Sequence, residues 1–268
     1  MKPIESLCIL GAGNVATHMA CALKQKGCRI TCVYSRTLPH AQQLARILDG
    51  ANAVCRLDEV PRADAYLFAV KDDALRGVAE EFARLHRGTE GLFIHTAGSR
   101  PLSVWEGITT NGAVLYPLQT FSLNRTVDFS HLPLLIEATN DISLETVRQL
   151  AQTLSDNVTT LDSEQRRAVH LAAVFANNFT NQCYAIAYRL MEERGIAPQL
   201  LLPLIDETAQ KIHDQTPVKA QTGPAVRWDT QVMESQERLL SAQPCLREIY
   251  KLMSQSIHHT QTDAAETT

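Results

Sequence analysis

The chain has 268 residues, enough for one large or two ordinary domains, and its 45% hydrophobic and 20% charged residues are typical of a globular protein rather than a disordered one. The formal net charge is -4 and no Lys/Arg cluster could neutralise a phosphate backbone, which argues against a nucleic-acid partner. No apolar run approaches the roughly 20 residues that span a bilayer, so we expect no membrane partner. Seven cysteines without a Cys-x-x-Cys pair indicate reduced thiols in a cytoplasmic protein, with neither a disulfide framework nor a metal site.

The first 160 residues alternate between short apolar runs and amphipathic stretches at helical spacing. The apolar runs predict strands at 7–10, 29–34, 65–70, 92–95 and 113–116. Helical patterns occupy the earlier intervals, at 15–26, 41–48 and 74–85. Two more strands are predicted at 134–138 and 158–161, joined by a helix at 144–154. This order predicts an α/β Rossmann domain over residues 1–160, doubly wound around a mainly parallel sheet.

The pattern after residue 160 is helical, and we predict an all-α C-terminal domain over residues 161–268. Residues 163–194 predict one long helix that ends at Gly195. Its apolar side chains, such as Leu171, Phe175 and Phe179, indicate that the helix is buried. Further helices are predicted at 199–214, 230–241 and 246–258, and the polar tail from residue 260 is expected to fray.

A glycine motif follows the first strand and opens the first helix, with the sequence Gly11-Ala12-Gly13-Asn14-Val15-Ala16. Gly11 permits a tight turn, Gly13 lets a pyrophosphate approach the backbone, and Ala16 allows close packing of the helix on the strand. The free N–H groups of the helix N-terminus then face the phosphates. A glycine turn that binds no nucleotide is the alternative, but the strand before it and the helix after it favour a dinucleotide site.

The end of the second strand distinguishes between the two nicotinamide cofactors. NAD sites place an Asp or Glu there for the ribose 2′-hydroxyl. This strand ends instead with Ser35-Arg36-Thr37, a guanidinium between two hydroxyls, which suits the 2′-phosphate of NADP(H). The alternative is that Arg36 is a solvated surface arginine.

Several stretches together resemble known reductases. They are the glycine motif, Ser35-Arg36-Thr37, and 67–70 with the following Lys71-Asp72-Asp73-Ala74. With the helical second half, they resemble the pyrroline-5-carboxylate reductase and deazaflavin-dependent NADP reductase superfamily. The stretches 95–99, 116–121, 170–179 and 222–225 resemble more closely a bacterial family of Rossmann-like candidate oxidoreductases of undetermined substrate. The resemblance covers nearly the whole chain and implies an NADP-binding domain and a helical C-terminal domain like that of 6-phosphogluconate dehydrogenase, often a dimer interface.

Ligands of open parallel sheets bind beyond the carboxyl ends of the strands, which directs attention to the residues there. Ala69 and Val70 are expected along the cofactor, and Ser99 near the nicotinamide and substrate. His95 could donate a proton or could be a structural histidine that binds a loop backbone. Gln119 could bind substrate or could hold its own loop.

The predicted long helix carries a polar stripe of His170, Asn177, Asn178 and Asn181, which fall near one face at helical spacing. Buried amides and imidazoles need partners, so this stripe predicts either a site or a packing network. Hydroxyacid dehydrogenases and ketopantoate reductases of related architecture have a lysine four residues before an asparagine on this helix. Here those positions hold Ala173 and Val174, so the proton would come from His170, from His95 or from water, and Asn178 is a further catalytic candidate.

Arg227 follows the Gly223-Pro224 turn and could bind a substrate carboxylate, or it could pair with Asp229. Together these features predict an NADP(H)-dependent oxidoreductase that transfers hydride to or from a small carbonyl, imine or hydroxy substrate, as a homodimer. The alternative is a redox sensor or regulatory protein that binds NADP(H) without turnover. The sequence identifies neither the substrate nor the direction of the reaction.

Overall fold

The computed structural model describes residues 4–266. The strands are β1 (Ser6–Leu10), β2 (Arg29–Tyr34), β3 (Asn52–Val54), β4 (Ala65–Phe68), β5 (Leu92–His95), β6 (Gly112–Pro117), β7 (Leu134–Ala138) and β8 (Val158–Thr160). The helices are α1 (Asn14–Gln25), α2 (Leu38–Leu48), α3 (Leu75–Leu85), α4 (Asp141–Leu154), α5 (Ser163–Ala173), α6 (Thr180–Glu192), α7 (Leu202–Asp214), α8 (Pro217–Ala220), α9 (Thr230–Leu239) and α10 (Pro244–Glu266).

All eight strands form one sheet in the order β3-β2-β1-β4-β5-β6-β7-β8. Neighbouring strands are parallel except for β6 and β7, which are antiparallel. The first six strands therefore have the doubly wound Rossmann order, and β7 and β8 extend one edge. This confirms the predicted fold class. Strand β3 was not predicted, because its sequence, Asn52-Ala53-Val54, is not an apolar run and none of its residues is buried.

The alternate side chains of β1 explain why this strand is apolar throughout. Leu7 and Ile9 pack into the layer that contains α1, α2 and α4, whereas Cys8 and Leu10 pack into the layer that contains α3. All four side chains are fully buried. Helices thus cover both faces of the sheet, as expected for a parallel sheet.

The prediction of one continuous helix over residues 163–194 is wrong, because the helix is interrupted. Helix α5 begins with a capping box, in which Asp162 accepts from the Gln165 backbone at 2.8 Å and the Gln165 side chain accepts from the Asp162 backbone at 3.0 Å. A π-helical segment, Val174–Phe179, then separates α5 from α6. The apolar residues Leu171, Phe175 and Phe179 are 59%, 61% and 51% exposed, so the predicted burial of this helix is also wrong within the single chain.

Contacts divide the chain into one compact unit that ends at Gln182 and a second that begins at Cys183. We predicted the boundary at residue 160, where the strand pattern ends. Helix α5 belongs instead with the sheet, because Arg166 on α5 forms an ion pair with Glu137 on β7.

The second unit is helical, and no strand occurs in its described residues, 183–266. Its three predicted helices correspond to α7, α9 and α10. Helix α10 extends to Glu266, so the expected fraying is wrong as far as that residue, and the last two residues lie outside the described part. No described helix is long and apolar enough to cross a membrane.

Candidate functional site

The glycine turn after β1 has two glycines with different structural roles. Gly11 has a φ of +128°, and a Cβ built on it would lie 2.2 Å from the backbone oxygen of Ala69. Gly13 caps the N-terminus of α1, and a Cβ built on it would have nothing within 4 Å. Gly11 is therefore needed for the fold, whereas the space beside Gly13 is open to a ligand.

We expect Gly11→Ala and Gly13→Ala to have different effects. Gly11→Ala should lower the free energy of unfolding by about 3 kcal/mol, because the new methyl group meets backbone and the left-handed φ is strained. Gly13→Ala should change stability by less than about 1 kcal/mol while it weakens cofactor binding. Urea denaturation and NADPH titration of both variants test this, and equal stability of the two would contradict it.

A cavity of about 430 Å³ lies over the glycine turn. It brings together most of the predicted cofactor-binding residues, namely Gly11, Ala12, Gly13, Ser35, Arg36, Ala69 and Val70. Sequence analysis missed His40, Gln43 and Lys71, which also line it. Thr37 does not line this cavity but occupies the N-cap position of α2.

A second cavity, of about 670 Å³, begins where the first one ends along the chain. Asn14 and Val15 line it, immediately after Gly13 of the first cavity. Its other wall includes Tyr116 from β6 and His170 from α5. The two cavities thus lie along consecutive residues of the glycine turn and the start of α1.

Tyr116 and His170 form a hydrogen-bonded pair. The tyrosine hydroxyl lies 3.1 Å from Nδ1 of His170, and the ring planes are inclined at 70°. Burial, and secondarily the negative charge of Asp72, raises the pKa of Tyr116 above its ordinary value. The hydroxyl therefore stays protonated at neutral pH. Sequence analysis included His170 but missed Tyr116 as a functional residue.

Gly98 makes this pair possible. A Cβ at position 98 would lie 2.7 Å from Cζ of Tyr116 and 2.8 Å from Nδ1 of His170. The next residue, Ser99, donates a hydrogen bond from Oγ to Oδ2 of Asp72 and lines neither cavity. The loop after β5 thus contacts the pair through Gly98, and Ser99 is oriented towards Asp72.

Helix α5, which carries His170, is fixed to the sheet one turn earlier. Arg166 is fully buried and donates to the carboxylate of Glu137 and, at 2.7 Å, to the backbone oxygen of Arg100. Ser163 donates to the same carboxylate at 2.9 Å. Because residues four apart share a helix face, this network determines where His170 meets Tyr116.

His95 is fully buried and lines none of the cavities described above. Its Nδ1 accepts a hydrogen bond from the Ala97 backbone at 3.2 Å. Burial, together with the positive charge of Arg166, lowers its pKa from 6.5 to about 3. His95 is therefore neutral at physiological pH and unable to donate its proton as an imidazolium, and this arrangement matches the structural alternative.

The buried His95 should make the protein sensitive to acid. Below pH 6.5 the unfolded chain binds a proton at this residue, whereas the folded chain does so only near pH 3. Stability should therefore be complete above pH 6.5 and fall as the pH drops towards 3. Between pH 7 and 5 the loss should be about 2 kcal/mol larger than in His95→Asn, which keeps an acceptor for Ala97. Urea denaturation at both pH values measures the difference, and equal losses would contradict it.

The amide residues lie around the second cavity. Gln119, Asn177 and Asn178 line it, and Asn181 lines a neighbouring cavity. The Gln119 Oε1 also accepts from the Thr120 backbone at 2.8 Å, so this residue holds its own loop and faces the cavity.

Arg227 is exposed in the second unit. Asp229 accepts a hydrogen bond from the Val232 backbone at 3.2 Å, and so caps α9 instead of pairing with Arg227. A role for Arg227 in binding substrate stays a prediction.

Comparison with known proteins identifies the family. A model of a Rossmann-like domain matches residues 2–120, and a model described as a domain of unknown function, DUF2520, matches residues 132–257. A candidate NADP oxidoreductase from Bacteroides fragilis is 44% identical, with 96% of this chain and 98% of that chain covered and a TM-score of 0.90. The search against curated proteins gave no match.

More distant structures share the fold alone. A protein from Thermotoga maritima is 22% identical over 97% of this chain and 99% of that chain, with a TM-score of 0.72. The pyrroline carboxylate reductase of Plasmodium falciparum, solved with NADP bound, is 12% identical over 94% and 99%, with a TM-score of 0.59.

The sheet order and the glycine turn define a Rossmann-type protein with a helical C-terminal part. The chain belongs to the family of the Bacteroides protein, and in this chain a Rossmann-like domain precedes a DUF2520 domain.

Proposed function

We propose that the protein is an NADP(H)-dependent oxidoreductase that transfers hydride to or from a small carbonyl, imine or hydroxy substrate. The observation that carries this proposal is the succession of two cavities along the glycine turn, one with Arg36 and the other with the Tyr116–His170 pair. The NADP named for the Bacteroides relative and bound in the Plasmodium enzyme supports the choice of cofactor.

The first cavity has groups that could bind both the pyrophosphate and the 2′-phosphate of the cofactor. The pyrophosphate would bind at residues 11–15, where the backbone beside Gly13 is open and the first N–H groups of α1 are free of intrahelical partners. Ser35 and Arg36 would bind the 2′-phosphate, with Thr37 at the adjacent helix cap. Ala69 and Val70 would lie along the cofactor from the end of β4.

His170, which lines the second cavity, would supply the proton. When bound, the cofactor would supply or accept hydride. In reduction, Nε2 of protonated His170 donates a proton to the substrate oxygen or nitrogen, while Nδ1–H donates to the Tyr116 hydroxyl. In oxidation, Nε2 of neutral His170 accepts the proton. Asn178 and Gln119 line the same cavity and would hydrogen-bond the substrate.

Calorimetric titration of the purified protein with NADPH and, separately, NADH tests the proposal. We expect clearly tighter binding of NADPH, followed by substrate-dependent oxidation of NADPH in a panel of carbonyl and imine compounds. Failure to bind either cofactor, in folded protein free of copurified nucleotide, would contradict it. NADPH binding without turnover across the panel would favour the redox sensor instead.

We also propose that the protein is a homodimer that buries the exposed apolar side chains of α5 and the π-helical segment. Leu171, Phe175 and Phe179 follow one another at intervals of four residues, and each is more than half exposed. Such a row is typical of a helix that packs against a partner.

The cytoplasmic location stays a prediction.

We expect light scattering at micromolar concentration to give a dimer for the native protein and a monomer for Phe175→Glu, because a buried unpaired charge strongly disfavours association. Ile142→Glu changes a residue that is 67% exposed on α4 and serves as the matched control, which should stay dimeric. A native monomer, or a dimer that persists in Phe175→Glu, would contradict the proposed interface.

A further inference from the structure

A third cavity, also of about 670 Å³, adjoins the cavity of the Tyr116–His170 pair. The two share Gln119, Thr120, Asn177 and Asn178. The third cavity extends beyond them to Asn181 on α6 and to Arg125 in the loop after β6. A molecule that reaches the pair can therefore extend into a region lined mainly by polar side chains.

The π-helical segment explains why neighbouring amides face the same cavity. Its turns are wider than those of an α-helix, with bonds between residues five apart, and π segments are frequent at functional sites. The Thr180 hydroxyl donates to the backbone oxygen of Phe175, five residues earlier, at 3.0 Å. Among the described residues, the side-chain amides of Asn177, Asn178 and Asn181 make no hydrogen bond, so their donors and acceptors are available to a ligand.

The loop that carries Arg125 is attached to the start of α1. Asn14 donates from Nδ2 to the Phe121 oxygen at 2.8 Å, and Nε2 of His18 lies 3.1 Å from the Ser122 oxygen. The Arg125 backbone then donates to the same Ser122 oxygen at 3.1 Å. This attachment fixes the loop beside the proposed cofactor site.

The Arg125 guanidinium gives this cavity a group that can bind an anion. The Arg125 guanidinium makes no ion pair or side-chain hydrogen bond within residues 4–266. The cavity also contains Asp128, whose Oδ1 already accepts two hydrogen bonds from Ser130, at 2.9 Å from the backbone and 2.8 Å from the hydroxyl. The Asp128 carboxylate keeps its negative charge but is held by its own turn through Oδ1, and Arg125 is the cation that lines this cavity.

We propose that this cavity binds the part of the substrate distant from the reacting carbon, and that this part is a hydroxylated carboxylate. Arg125 binds the carboxylate through its paired donors, and the amides of Asn177, Asn178 and Asn181 bind the hydroxyl groups, each of which both donates and accepts. The proposal rests on the proposed function, because the substrate is placed beside the Tyr116–His170 pair.

Three four-carbon probes separate these contributions. L-threonate carries both the carboxylate and hydroxyls, L-threitol carries only hydroxyls, and butyrate carries only the carboxylate. In calorimetric titrations of the NADPH-loaded protein, we expect L-threonate to bind at least about tenfold more tightly than either of the others. Equal binding of L-threitol, or no L-threonate binding at about 20 mM, would overturn the proposal.

Variants assign the two roles. Arg125→Met should weaken L-threonate binding at least about tenfold and butyrate binding with it, whereas Arg125→Lys retains part of the affinity. Asn181→Leu should weaken L-threonate but leave butyrate unchanged, since only a hydroxyl partner is lost. Arg87→Met, a change at an exposed arginine outside the cavity, is the matched control and should leave both unchanged. Unchanged L-threonate binding in Arg125→Met overturns the proposal.

The affinity for NADPH, measured on the same samples, keeps this inference separate from the proposed function. All of these variants should bind NADPH as the native protein does. L-threonate binding that depends on Arg125 in a protein that does not bind NADPH would contradict the oxidoreductase and support the anion site. NADPH binding without L-threonate binding would do the reverse.

Discussion

Arg36→Ala is expected to weaken NADPH binding by about 10- to 100-fold while it changes NADH binding by less than about threefold. The guanidinium lines the cavity over the glycine turn and is exposed to solvent, so it is available for a phosphate. NADPH and NADH differ only at the ribose 2′ position, where NADPH carries the phosphate. A loss confined to NADPH therefore reports the contact with that phosphate.

Two further variants sharpen this experiment. Arg36→Lys keeps the charge but removes the paired donors, and should give an intermediate loss of NADPH affinity. Arg46→Ala removes a different exposed arginine, which lies on α2 and does not line the cavity, and this variant should bind NADPH normally. An equal loss of NADPH and NADH affinity in Arg36→Ala would refute the assignment, as would a comparable loss in Arg46→Ala.

Most of the lining of the cavity over the glycine turn could be predicted because its determinants are local. The glycine motif specifies a turn within a few residues, and the end of β2 lies next to it in a parallel sheet of this order. The other wall could not be predicted in the same way. Lys71 entered the sequence analysis only as part of a resemblance, with no role of its own. His40 and Gln43 belong to α2, and a sequence pattern does not specify how that helix is rotated about its axis.

The Tyr116–His170 pair shows a second limit of prediction from sequence. Tyr116 and His170 are 54 residues apart, and their contact depends on how α5 is attached to the sheet. That attachment is an ion pair between Arg166 and Glu137, two residues that look like ordinary charged positions in the sequence. The two rings that a Cβ at Gly98 would meet are likewise visible only in the structure.

The π-helical segment was not predicted for a different reason. Residues 163–194 contain no Gly or Pro that would interrupt a helical pattern, so they predicted a continuous helix. The same pattern predicted burial, because an apolar helix face indicates that something covers it but not whether the cover is the same chain. Leu171 and Phe175 remain exposed here, which is why the interface is proposed with a second copy.

His170→Ala is expected to lower kcat by about 100-fold or more with any substrate that the carbonyl and imine panel identifies. The lysine that related reductases have on this helix is replaced by Ala173 and Val174. Tyr116 stays protonated because burial raises its pKa above the ordinary value, which leaves the imidazole of His170 as the candidate proton donor in this cavity. NADPH affinity should be unchanged, which separates proton transfer from cofactor binding.

Tyr116→Phe and Gly98→Ala distinguish catalysis from positioning. Tyr116→Phe keeps the ring but removes the hydrogen bond to Nδ1, and should lower kcat by about tenfold. Gly98→Ala should act in the same direction, because its methyl group displaces both members of the pair. The pH profile of kcat should differ in shape from the native profile only in His170→Ala, since the other two variants retain the imidazole. If His170→Ala kept native turnover and the native pH profile, the histidine would be structural and the proton would have to come from water.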